Sequence, residues 1–127
     1  MAFTAYNDGT RYYSYERITF DHVETNIGGH FDNDTFTCPV DGLYFFSFNI
    51  MGSEYYGYTA RATLRRNGYT VVGAYADYES NDPHASNSAV IRCSAGDDVY
   101  LYFETSAYMH SDFDRYVTFS GFLISEN

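Results

Sequence analysis

The chain has 127 residues, with 17 acidic side chains against 7 basic ones, so its formal charge at pH 7 is -10. That length suits one domain over residues 1–127, and 2 Pro with 10 Gly are too few for a disordered or collagenous chain. All seven basic residues are scattered Arg, which excludes the basic stripe of a nucleic-acid surface and the polybasic patch of a lipid-binding one; no apolar run is long enough for membrane insertion.

The 15 Tyr and 11 Phe make up 20% of the chain, and neither Lys nor Gln occurs. Aromatic and β-branched residues suit pleated, half-buried surfaces, whereas helices favour Leu, Ala, Lys and Gln. Strands are therefore expected throughout. In Gly42 to Met51, alternation puts Tyr44, Phe46, Phe48 and Ile50 on one wholly apolar face. Leu43, Phe45, Ser47, Asn49 and Met51 form the other, which begins apolar and turns polar, so a second chain or strand is expected to cover part of it. Ala60, Ala62 and Leu64 oppose Arg61, Thr63 and Arg65. Ala89, Ile91 and Cys93 oppose Ser88, Val90 and Arg92, and Val99, Leu101 and Phe103 oppose Asp98, Tyr100, Tyr102 and Glu104.

Turn signals separate these runs, the clearest being Asn67-Gly68, whose residues tolerate the positive φ of a tight hairpin. Eight to ten short strands without helices imply a sandwich or barrel. Cys38 and Cys93 lie 55 positions apart and make no CxxC motif. Both fall in phase with inward residues, as two buried free thiols or as one disulfide.

Catalytic templates fail in turn, so no enzyme is expected. There is no GxSxG elbow, HExxH helix or P-loop, and the four His stand isolated. Asp97-Asp98 resembles an ordinary turn more than an acid–base pair, since adjacent strand residues face opposite ways. Three acidic loops offer oxygen ligands: Asp77 through Asp82, Asp112-Phe113-Asp114, and Asp32-Asn33-Asp34, which overlaps the glycosylation sequon at Asn33.

The punctuated aromatics carry a resemblance. Phe20, Asn26, Phe31 and Phe36, followed by the run Cys38 to Phe48, strongly resemble the globular head domain of complement C1q. Ala2-Phe3-Thr4-Ala5, Ala85-Ser86, Gly96-Asp97 and Phe119 to Leu123 extend the likeness over essentially the whole chain. The resemblance implies a ten-stranded jelly-roll β-sandwich of the tumour necrosis factor type. It implies trimers, with Leu43, Phe45 and Met51 as candidate contacts, and calcium held by Asp77, Tyr78 and, with Asp82 or His84 in the later loop, a further ligand.

It also implies a non-catalytic, secreted recognition module of innate immunity, whose signal peptide this sequence does not contain. Lectin-like partners such as glycans, lipopolysaccharide or proteins would meet Tyr55, Tyr56, Tyr58, Arg61 and Arg115. The alternative is a structural or signalling ligand, a matrix component or receptor-binding factor. One departure is the hairpin from Phe31 to Phe36, about two residues shorter than the family pattern, which bears on any ligand contact made there.

Overall fold

A computed structural model of the chain describes residues 1–53, 59–76 and 84–127. Among these residues there are eleven strands and no helix: β1 (Ala2–Asn7), β2 (Arg11–Arg17), β3 (His22–Ile27), β4 (Phe31–Asp32), β5 (Thr35–Thr37), β6 (Gly42–Met51), β7 (Ala60–Arg66), β8 (Tyr69–Ala76), β9 (His84–Cys93), β10 (Asp98–Met109) and β11 (Val117–Glu126). They form two antiparallel sheets. The first runs β3-β1-β11-β6-β9 and the second β4-β5-β10-β7-β8, with β2 also pairing β10. This is the expected all-β jelly-roll sandwich, with eleven described strands where the resemblance implied ten. The shortest is the two-residue β4, cut off where Asn33, at φ 52°, turns the chain back into β5.

Alternation predicted the core correctly. Tyr44, Phe46, Phe48 and Ile50 of β6 are buried, as are Ala60, Ala62 and Leu64 of β7 and Val99, Leu101 and Phe103 of β10. Phe3 of the first sheet joins the two layers. Its ring stacks on Phe31 at 4.7 Å and Phe36 at 5.0 Å, both from the second sheet, and meets Phe119 edge-on at 4.9 Å. Each such aromatic pair adds about 0.5–1.5 kcal/mol beyond the area it buries.

The spaced Phe20, Asn26 and Phe31 have distinct jobs. The two rings lie in the core, while the Asn26 amide acts as one rung of backbone ladder between the sheets. Its Nδ2 donates to the Phe31 carbonyl at 2.9 Å, and its Oδ1 accepts from the Phe31 N–H at 3.2 Å. The predicted Asn67-Gly68 turn is present, with φ of 50° and 87° between the paired residues Arg66 and Tyr69.

Alternation alone misreads Tyr100 and Thr63. Both point away from the core yet are buried. Arg17 lays its guanidinium 3.7 Å from the centre of the Tyr100 ring, and Arg65 lies 4.0 Å over Tyr102. Arg65 also pairs with Glu104 at 2.5 Å, whose Oε1 accepts from the Thr63 hydroxyl at 2.8 Å. Long Arg side chains thus roof the outer face of the second sheet with their stems and planes.

Candidate interaction surfaces

The outward face of the first sheet is graded along the strands. Its register places Val90, Phe45, Phe122, Ala2 and Ile27 side by side, one residue from each of the five strands. Every member is apolar. Phe45 and Phe122 lie with ring centroids 5.3 Å apart, and Val90, Phe122 and Ile27 remain 58%, 46% and 61% exposed.

Two residues further along, the aligned positions are Ser88, Ser47, Ser120, Thr4 and Thr25, a row of hydroxyls in which Thr4 and Ser120 are hydrogen-bonded at 2.9 Å. Beyond it lie Ser86, Asn49, Thr118, Tyr6 and His22, with the Tyr6 and His22 rings stacked at 5.1 Å. A continuous apolar row of this kind is rare on the surface of a folded domain and is typical of interaction sites.

Leu43, Phe45 and Met51 all fall on this outward face, half-buried. Phe45 sits in the apolar row between Val90 and Phe122, and Leu43 lies beside it, opposite Arg92. Met51 does not join them: it sits at the other end of β6, opposite His84 and beyond the hydroxyl row. Val90, Phe122 and Ile27 were missed from sequence because their alignment depends on pairing between distant strands.

Arg61 and Arg115 do not share a surface. Arg61 is exposed on β7 of the second sheet, opposite Tyr75. Arg115 leaves the turn before β11, lies 3.9 Å over Tyr6 of the first sheet and contacts Glu24 at 3.2 Å. Tyr55, Tyr56 and Tyr58 lie outside the described residues, as do Asp77, Tyr78 and Asp82 of the expected calcium loop. His84, the softer alternative, is exposed at the start of β9.

The other acidic loops hold themselves together. Asp112 accepts at its carbonyl from the Arg115 N–H (2.9 Å) and at Oδ1 from the Asp114 N–H (2.8 Å), a turn that holds Phe113 out at 94% exposure. Asp34 accepts from the Thr35 hydroxyl at 2.7 Å. No group of three or more His, Cys, Asp or Glu gathers in metal-binding fashion among the described residues.

Asp97 and Asp98 serve the fold at the opposite end of the second sheet. Asp97 accepts from Asn67 Nδ2 and from the Ser94 N–H, each at 2.9 Å, and these bonds hold its carboxyl below the usual range. Asp98 accepts from the Thr37 hydroxyl at 3.4 Å. The two carboxylates thus have separate structural partners. Cys38 and Cys93 are buried and unbridged, the first of the two arrangements read from sequence.

Comparison with known proteins agrees with this architecture. The family model of the C1q domain matches residues 2–124. The human complement C1q tumor necrosis factor-related protein 3 is 40% identical over 116 residues, covering 86% of this chain and 45% of the relative, and the mouse protein matches equally. The chain thus spans about half the length of these curated relatives. Among solved structures, the globular domain of zebrafish complement 1qA superposes with a TM-score of 0.79 at 22% identity, covering 99% of this chain and 98% of that one. Eiger TNF from S. frugiperda reaches the same TM-score at 11% identity, with 100% and 94% coverage.

Proposed function

The chain belongs to the C1q domain family, and from that premise we propose that it is a non-catalytic extracellular recognition module that works as a homotrimer. The observation that carries this reading is the apolar row Val90–Phe45–Phe122–Ala2–Ile27. It crosses the whole sheet, it lies on the face away from the core, and a second and third copy of the same chain supply matching apolar surface. Threefold closure is the arrangement the C1q likeness implies, and a closed ring leaves no copy of the row exposed.

With the first sheet covered, the second sheet and the loops are left to meet ligands. The second sheet offers exposed Tyr12, Tyr15, Tyr69 and Tyr75 and the cation Arg61. Tyrosine stacks on sugar rings and apolar groups while its hydroxyl stays hydrated, and Arg binds carboxylate or phosphate in a fork. These chemistries suit microbial surface patterns such as glycans and lipopolysaccharide. Each contact of this kind is weak, and three per particle gain strength only on a repeating target.

Two measurements test the reading. Light scattering at micromolar concentration and neutral pH should return about three times the 14.5 kDa chain mass; a strictly monomeric mass refutes the trimer. The assembled protein should then bind repeated targets on an array of glycans and bacterial envelope components. Silence across every class refutes pattern recognition while leaving the assembly standing.

A further inference from the structure

The fold places Cys38 and Cys93 side by side although 55 positions separate them. Cys38 follows β5, and its backbone is tied twice into the turn after β9. Its N–H donates to the Asp97 carbonyl at 2.9 Å, and its own carbonyl accepts from the Gly96 N–H at 2.8 Å. Cys93 is the last residue of β9, immediately before that turn, and pairs with Gly42 at the start of β6. The side chains are 1% and 2% exposed, and each thiol bears on the other's titration. Arg66 lies against Cys93, its guanidinium anchored 2.5 Å from the Arg92 carbonyl.

We propose that Cys38 and Cys93 are a disulfide-forming pair, and that under oxidising conditions they close a bond that clamps the β5–β6 loop to the end of β9. The backbone bonds between Cys38 and residues 96 and 97 already hold the two segments together in the reduced fold. The oxidant is a small-molecule or protein disulfide, and the chemistry is two exchanges. Cys93 Sγ, as thiolate, attacks one sulfur of the oxidant, forming a mixed disulfide and expelling the first thiolate. Cys38 then loses its proton and attacks Cys93 Sγ, forming the Cys38–Cys93 bond and releasing the second thiol. Two thiols are oxidised, and one oxidant disulfide is reduced to two thiols.

The surroundings favour Cys93 as the first thiolate. The hydrogen bond from Cys38 holds it below the ordinary thiol range, and Arg66 adds to this against the opposing effects of burial and the Asp97 charge. Cys38 is raised, first by the same hydrogen bond and then by burial. Tyr44, the other titratable group against the pair, donates its hydroxyl to the Val40 carbonyl at 2.7 Å and takes no part. Because both sulfurs are covered in the folded domain, exchange occurs while the turn at 94–97 is open, and the finished bond is shielded from reductants.

The oxidising setting follows from the extracellular role proposed above, and the test sets the redox potential directly so that the two readings fail separately. The full chain is refolded in a mixture of reduced and oxidised glutathione, then denatured without reductant in the presence of iodoacetamide. The expected intact mass is that of the reduced chain less two hydrogens, with no alkylation, and a peptide map joins Cys38 to Cys93. The chain refolded in dithiothreitol should melt about 10 °C below the oxidatively refolded chain, the effect of leaving a loop of this size open. The double variant C38S/C93S should melt independently of reductant. Two alkylated thiols after oxidative refolding overturn the proposal, as does a disulfide between chains, or an equal midpoint for the oxidatively and the reductively refolded chain.

Discussion

Gly121 of β11 lies directly under the ring of Phe46 of β6: a Cβ at this glycine would come within 2.6 Å of Phe46 Cδ1 and 2.8 Å of Phe3 Cε1. Neither ring can withdraw. Phe3 is held in the stack with Phe31 and Phe36, and Phe46 meets Phe36 at 5.7 Å and Phe119 at 6.1 Å. Gly121→Ala should therefore destabilise the domain by about 1–3 kcal/mol, the range for overpacking a filled core. Chemical denaturation of the two proteins measures the difference, and an unchanged midpoint contradicts the packing described.

Asn26→Ala removes both hydrogen bonds of the amide rung and leaves the N–H and C=O of Phe31 without those partners. The expected loss is about 1–3 kcal/mol. Asn26→Asp should fall between wild type and Ala at neutral pH, because a carboxylate still accepts from the N–H but cannot donate to the carbonyl. Thermal melts of the three proteins check the order.

The apolar row separates assembly from folding. Phe122→Ser and Val90→Ser alter outward side chains, so each monomer should keep its β-sheet circular dichroism spectrum. The assembly should weaken at least tenfold in dissociation midpoint, since a buried interface anchor contributes about 2 kcal/mol. Thr25→Ala, in the hydroxyl row, is the comparison variant and should change the midpoint little. Sedimentation across a dilution series distinguishes them.

Asp97 gives a pH signature. Its bonds to Asn67 and Ser94 hold the folded carboxyl below its ordinary value. The unfolded chain therefore takes up the proton first, and the stabilisation is complete above the unfolded pKa of about 3.9 and is lost as pH falls through the folded value. Asp97→Ala should melt a few degrees below wild type at pH 6, and that gap should narrow below about pH 4. A gap independent of pH contradicts the assignment.

Calcium is proposed from the likeness of Asp77-Tyr78 to the family's ligand pair and from the clustering of oxygen donors through Asp82. Extracellular sites bind with Kd on the order of 10⁻⁴ to 10⁻³ M, and calcium at about ten times Kd contributes about 1.4 kcal/mol per site. Millimolar calcium should raise the melting midpoint of wild type by a few degrees. Asp77→Ala should lose that rise and Asp112→Ala should keep it. Absence of any calcium response in wild type refutes the site.

Most of the fold was legible along single strands. Period two in β6, β7 and β10 names the buried side chains correctly, because a strand inside a two-layer sandwich has one wet face and one dry face. Buried Tyr100 and Thr63 escaped that rule because Arg17 of distant β2 covers the first, and Arg65 of Thr63's own strand together with Glu104 of β10 covers the second. The apolar row was half legible: Phe45 stood out on its own strand, but Phe122 and Val90 join it only through pairing across β11, β6 and β9. The contact between the two thiols was hidden for the same reason. Asn26 was visible as part of a familiar spacing, while its work as a rung between sheets depends on where β4 lies.

The succession of apolar, hydroxyl and mixed polar rows gives the first sheet a direction. Copies meeting through it in parallel set apolar row against apolar row, whereas an inverted copy would press Phe45 and Phe122 onto the polar residues at the far end. A trimer built on this face is therefore vectorial. Ala2 of β1 and Phe122 of β11 lie in the apolar row, so the paired first and last strands carry that row at one pole of such a trimer. The turns carrying Phe113, which precede β11 at its polar end, then point from the opposite pole as three identical prongs around a common axis. A flat repeating surface would meet those prongs together, and a lone soluble molecule would meet them one at a time.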